Sequence, residues 1–277
     1  MEKEDVIKRL VSDGEFFGVG NGITHLEHIA AHRYLSNSGM TSLLKSAAHY
    51  QAYLRSDRTP SKAQNLGTGT HLAILEGALH QVAAQPDADG RTKEGKEIKA
   101  RFAADNIGKV IVTQDEYSQI VGMANAVGAH PLAADLFSKG RAETSFFWRD
   151  PETGTRLKGR ADYLRPDYQE IIDLKTTEDA SGAFNRSALN YGYFRQAALY
   201  CDGVDAVFGF RPTFKLVAVE KTDPFAVAVF TLTDSALDYG RKEYKRALQI
   251  YYEAEKTGNW SGYASDVQLL DLPPFAW

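Results

Sequence analysis

The sequence predicts an α/β fold with a central mixed β-sheet flanked by helices and preceded by a helical N-terminal region. Three observations predict it. Up to about residue 140, apolar residues recur at helical spacing between capping signals. From about 141, short aromatic and β-branched runs separated by turns read as consecutive strands. Helical stretches then alternate with further strands to about residue 257. No linker divides the chain, so residues 1–277 are expected as a single domain, with an extended tail over 258–277.

Each element has its local reason. Ser38 or Thr41 can cap a helix running through Leu43, Leu44, Ala47 and Tyr50 to about Leu54. A second helix is expected from Gly69 to Leu79, and a loop from Ala83 to Gly95 leads to a charged helix near Ile98 and Phe102. Thr113 and Glu116 have the spacing of a capping box, and a helix should follow to about Val127. Pro131 opens a short helix that ends by Gly140. Thr144–Trp148, Leu157–Leu164 and Glu170–Leu174 form a predicted β-meander, with turns at Pro151–Gly154 and around Pro166. Phe146, Phe147 and Trp148 suit sheet packing better than base stacking. A helix near Phe194–Tyr200 precedes strands near Phe214–Val219 and Ala226–Thr231. A long helix from Asp234 to Lys256 then ends at Gly258, and Leu269 to Trp277 should lie extended.

Composition narrows the function. The 277 residues are 43% hydrophobic and 25% charged, ordinary for a globular protein. No run of about 18 apolar residues is present to span a bilayer, and the polar, acidic first residues do not read as a signal peptide; the expected location is the cytoplasm. Cys201 is the only cysteine, which excludes an internal disulfide framework and any site built on several cysteines. The net charge of −4 argues against nucleic-acid binding through bulk charge, though a bound cation can supply a local positive field.

The chemistry concentrates in Gly159-Arg-Ala-Asp162 and Ile171-Ile-Asp-Leu-Lys175. On a strand, Asp173 and Lys175 share one face while Ile172 and Leu174 point into the opposite core. A hairpin can bring Asp162 beside Asp173. Two adjacent aspartates repel unless a hard divalent cation neutralises them, and Mg²⁺ suits one or two carboxylates plus water and phosphate oxygens. The Leu174 carbonyl lies between Asp173 and Lys175 in sequence and is a further candidate ligand. Lys175 would position the attacking water and offset charge in the transition state. Taken alone, Asp-x-Lys is also the pattern of an exposed ion pair.

Four further readings stay open. Gln196 and Tyr200, four apart on a helix, are either contacts for DNA or water beside the meander, or a surface glutamine with a half-buried tyrosine. His71 is either a further metal ligand or a histidine hydrogen-bonded at a helix start. Glu143 joins the carboxylates or is a solvated glutamate on an edge strand. Arg156, Lys158 and Arg160 alternate on one strand and either line a phosphate path toward Asp162 or keep an exposed face soluble.

In this order, His71, Gly159-Arg-Ala-Asp162, Asp173-Leu-Lys175-Thr-Thr177 and Gln196-Ala-Ala-Leu-Tyr200 resemble the RecB branch of the PD-(D/E)XK nucleases. Within it the chain is most similar to RecE-like, exonuclease VIII-type proteins. Leu66–Glu76, Ser42–Tyr50 and Gly258-Asn-Trp-Ser-Gly-Tyr263 resemble their helical histidine motif, the segment before it and their C-terminal signature. Gly77 departs from an expected proline, and Ala161 replaces the proline of the superfamily name.

The resemblance implies a restriction-endonuclease-like core. It makes His71, Asp162, Asp173 and the Leu174 carbonyl metal ligands, Lys175 the catalytic lysine, and Gln196 and Tyr200 a helical pair at the site. It further implies Mg²⁺, with Mn²⁺ as a substitute, and degradation of linear duplex DNA from 5′ ends, leaving 3′ overhangs for a single-strand annealing partner. Ring-shaped homo-oligomers are implied as well. A Cas4-like or endonucleolytic enzyme and an inactive DNA-binding relative are the alternative readings.

Overall fold

The computed structural model describes residues 18–20, 34–56 and 60–270. Ser36 opens α1 (Asn37–Leu43) by accepting from the Gly39 amide, and Ser46 opens α2 (Ala47–Arg55) by accepting from that of His49. One helix capped at Ser38 or Thr41 was expected here; the cap at Ser46 divides it in two. The next helix, α3 (Lys62–Leu75), begins at Lys62 rather than Gly69 because Ser61 and Gln64 form a capping box. His71 therefore lies in the third turn of a helix, not at its start.

Val82–Ala84 (β2) and Val110–Val112 (β3) pair in parallel as a small separate sheet. The loop expected from Ala83 thus begins as strand, because Val82 and Val112 are buried against α3 and its neighbours. The charged helix α4 (Lys93–Asp105) lies between these strands in sequence. Thr113 and Glu116 form the predicted capping box of α5 (Gln114–Ala129), and Pro131 starts α6 (Pro131–Leu136). Gly69 matters for this packing: a Cβ there would lie 2.6 Å from Ile120 Cδ1, so its absence lets α3 press against α5.

The main sheet is formed by β1 (Gly18–Gly20), β4 (Arg141–Arg149), β5 (Arg156–Arg165), β6 (Glu170–Thr177), β7 (Thr213–Glu220) and β8 (Val227–Thr231), in the order β1-β4-β5-β6-β7-β8. Neighbours are antiparallel except β6 and β7, which are parallel. The crossover between these two carries α7 (Phe184–Asn190) and α8 (Tyr193–Phe208). No side-chain cap marks the start of α7, which the sequence does not predict, and α8 is longer than the expected 194–200; Gly192 and Gly209, both left-handed, bracket it. The long helix α9 (Asp234–Thr257) ends at left-handed Gly258 as predicted. The expected tail from Leu269 lies mostly outside the described residues. The architecture is the predicted mixed sheet flanked by helices.

Each face of the sheet has its own core. Phe146, Trp148, Leu157, Ala161, Ile171, Leu216 and Ala218 pack with residues of α1, α2, α8 and α9. Ile172, Leu174, Val217 and Val219 pack on the opposite face with residues of α3 and α5. The alternation along β6 leaves Asp173 on the α8 side, as strand geometry requires.

The meander loosens at one level. Rungs between β5 and β6 run from Arg165↔Glu170 to Tyr163↔Ile172, and Asp162 and Asp173 would form the next. Instead the ladder stops, and the side chain of Asp162 accepts the Leu174 amide at 2.8 Å. Opposite Asp162 on β4, Glu143 adopts φ +49° and interrupts the rungs on that side too. A residue other than glycine in this left-handed region costs roughly 1–3 kcal/mol, and such strain concentrates at functional sites. Beyond the split, Leu35 takes the second edge of β5: its amide donates to Arg156 O at 2.9 Å, and its carbonyl accepts from the Lys158 amide at 3.0 Å. Among the described residues, no helix is long and apolar enough to cross a membrane.

Candidate metal centre

Three acids and a histidine meet where the strands part. From α3, His71 Nε2 lies 3.2 Å from the Leu174 carbonyl and 3.7 Å from Asp162 Oδ2. Its Nδ1 lies 3.7 Å from Glu143 Oε1. One ligand atom from each of His71, Glu143 and Asp162 falls within a 4.8 Å cluster. Glu143, left open by the sequence, is thus brought into the centre, and Arg160 holds it: the guanidinium Nε donates to Glu143 Oε2 at 2.6 Å.

Asp173 stands beside this cluster, fully buried. The Gln196 side-chain amide donates to its Oδ1 at 2.7 Å. Its Oδ2 is paired with the Lys175 ammonium at 2.5 Å, so both of its oxygens are engaged. The His71 imidazole, the Glu143 and Asp162 carboxylates and the Leu174 carbonyl form a donor set suited to a divalent cation, with the Asp173 carboxylate beside it. The residues present fit such an ion.

Charge follows the geometry. Burial, then the neighbouring charge of Asp173, push the Asp162 carboxyl well above the usual carboxylate range. Burial disfavours a charged His71, but the nearby Asp162 and Glu143 carboxylates outweigh it and raise the imidazole to about 9. Burial likewise works against the Lys175 ammonium, and Asp173 and Asp162 reverse it, so the lysine stays protonated far into the alkaline range. Glu143 is held below the usual range: His71 and Arg160 override its burial.

The remaining expected residues are placed as follows. Gln196 reaches the centre. Tyr200 sits one turn further along α8, its ring edge-on to Phe146 at 5.4 Å; burial pushes its hydroxyl up. The basic row on β5 does not form one open face. Lys158 is buried, Arg160 is engaged by Glu143, and only Arg156, half-buried at the far end of the strand, borders open space.

Two residues at the site escaped the sequence reading. Tyr193 places its ring 4.7 Å from Lys175 Nζ; its spacing of three before Gln196 on a helix was the available signal. Glu76, at the end of α3, has its carboxyl pushed up first by burial and then by the charge of Glu143, so it flanks the cluster.

A family model and one solved structure agree with this architecture. The family model described as a PDDEXK-like domain of unknown function (DUF3799) matches residues 36–273. No curated protein matches the chain. Among solved structures, a protein from Eubacterium rectale provisionally named an exonuclease is similar at a TM-score of 0.63 and 15% identity, over 91% of this chain and 95% of that one. A phage-related exonuclease from Haemophilus somnus 129PT aligns at a TM-score of 0.33 and 12% identity, over 67% of this chain and 96% of that one.

Proposed function

The chain belongs to the PDDEXK-like family DUF3799, and we propose that it is a metal-dependent deoxyribonuclease acting on the ends of linear double-stranded DNA. The observation that carries the reading is the cluster of His71, Glu143 and Asp162 gathered where the strands part, beside the buried Asp173 that Gln196 and Lys175 hold. Asp162, Asp173, His71 and the Leu174 carbonyl would hold Mg²⁺, or Mn²⁺ in its place, with Glu143 as the additional acid. When bound, the cation would polarise the phosphate, favour ionisation of a water and neutralise the leaving oxygen.

The protein's own groups then have distinct tasks. The Lys175 ammonium orients the attacking water and offsets charge growing on the phosphoryl oxygens. Gln196 fixes the rotamer of Asp173, and Arg160 fixes Glu143, so the acids are in place before substrate arrives. Tyr200 packs α8 against Phe146 of β4 and so supports Gln196. Arg156 is the residue of the basic row best exposed to meet a phosphate, while Lys158 and Arg160 would act by holding β5. Attack from 5′ ends, 3′ overhangs, ring assembly and an annealing partner are finer parts of the proposal; their support is the likeness to RecE-like proteins.

Digestion separates the readings. Purified protein with Mg²⁺ is expected to degrade linear duplex DNA and spare closed circles. Cutting of circles would favour an endonuclease, and no cleavage with Mg²⁺ or Mn²⁺ would overturn the enzymatic reading.

A further inference from the structure

At the turn between α7 and α8, Tyr191 is 69% exposed. Its ring stacks on Tyr193, with centroids 5.8 Å apart and planes 28° from parallel. Tyr193 in turn lies under the Lys175 ammonium. An open aromatic face is thereby joined, ring upon ring, to the cation that would meet the scissile phosphate. Burial does not account for so exposed a ring.

The turn that presents it is held from beneath. Gly192 sits at φ +70°, where a Cβ would also come within 2.6 Å of the Arg195 guanidinium. Arg195 is buried and donates to Asn37 Oδ1 at 2.8 Å and Thr41 Oγ1 at 2.6 Å. Leu189, 49% exposed, stands just before the platform in sequence.

We infer that Tyr191 and Tyr193 form a stacking platform for the nucleobase next to the scissile phosphate, an inference that rests on the nuclease reading above. Every base offers a π-face, so stacking of this kind tolerates any sequence. A base at the end of a strand offers its outer face to the platform, which holds that strand while Lys175 meets the phosphate.

The test uses the full chain and duplex DNA carrying 2-aminopurine at the terminal position of one strand, each end labelled in turn, with Ca²⁺ replacing Mg²⁺ to slow turnover. Wild-type protein and Tyr191→Phe should quench the probe at one end. Tyr191→Ala should leave it bright and weaken binding about 5- to 30-fold, the lower part of the range for base–aromatic stacking. Equal quenching by Tyr191→Ala and wild type would overturn the inference. So would a changed association state of the DNA-free alanine variant, which would make the patch a contact between copies. Wild type that cleaves DNA in Mg²⁺ without quenching the probe refutes the platform alone; quenching without cleavage refutes the nuclease reading, and with it the platform's place beside a scissile phosphate, and leaves only base stacking by Tyr191.

Discussion

Gln196 on α8 donates to Asp173 Oδ1 at 2.7 Å, and this bond links the helical layer to the acid at the centre of the sheet. Groups that orient a metal ligand in this way affect affinity or activity about 10- to 100-fold when removed. Gln196→Ala should therefore lower kcat by about that factor, with little change in KM for DNA, since the substrate-binding surface is left intact. Steady-state digestion of a labelled duplex measures both. An unchanged kcat would show that Asp173 is held by other means.

Function and stability should oppose each other at Asp162. Its carboxylate lies in a desolvated site, and the charge of Asp173 disfavours its ionisation. Asp162→Asn and Asp173→Asn should each reduce turnover by at least about 100-fold, in the range of lost transition-state electrostatics. In EDTA Asp162→Asn should raise Tm, by about 2–4 °C per kcal/mol of repulsion relieved, whereas Asp173→Asn should lower it, because it leaves the Lys175 ammonium without its partner at 2.5 Å. Scanning calorimetry beside the digestion assay tests the pairing; a lower Tm for Asp162→Asn would contradict the electrostatic account.

The imidazole of His71 supplies a pH dependence. Its folded pKa, about 9, lies above the ordinary value of 6.5 because Asp162 and Glu143 outweigh burial. A raised value means that its stabilisation is fully present below about pH 6.5 and is lost as pH rises through about 9. Asp162, also raised, acts in the same direction. In EDTA the protein should lose stability from pH 6.5 to 9. The Tm increment on adding Mn²⁺ should grow over the same window, because the metal competes with the His71 proton. Thermal unfolding with and without Mn²⁺ reads this, and an increment that shrinks with pH would refute it.

Gly240 on α9 tests how α8 is seated. A Cβ there would lie 2.0 Å from the Phe194 carbonyl oxygen, a backbone atom that no rotamer change can move aside. Gly240→Ala should destabilise by about 2 kcal/mol, overpacking exceeding the gain of about 1 kcal/mol that alanine brings to a helix. Because Phe194 lies two residues before Gln196, activity at a permissive temperature should fall as well. Denaturant unfolding gives the first quantity; no loss of stability would show that the helices separate cheaply.

The legible parts of this molecule were those with local causes. The Thr113–Glu116 capping box, the meander and the alternation that sets Asp173 and Lys175 opposite Ile172 and Leu174 follow from side-chain period and capping chemistry. The pairing of β2 with β3 was not legible, because it depends on a partner nearly thirty residues away. Ser46 and Ser61 are cap residues with local chemistry, yet neither stands out in sequence from the other serines and threonines nearby. Glu143 looked equivocal in sequence because its place at the centre comes from a left-handed backbone and from Arg160. Lys158 was misleading for the opposite reason: its spacing matches an exposed row, while tertiary packing buries it.

The most direct test of the central claim is a crystal structure of the protein soaked with Mn²⁺, examined by anomalous scattering. The account predicts a peak bound by Asp162, Asp173 and the Leu174 carbonyl, with His71 turned onto the ion. A well-ordered site without a peak there, with His71 still against the Leu174 carbonyl, would contradict it.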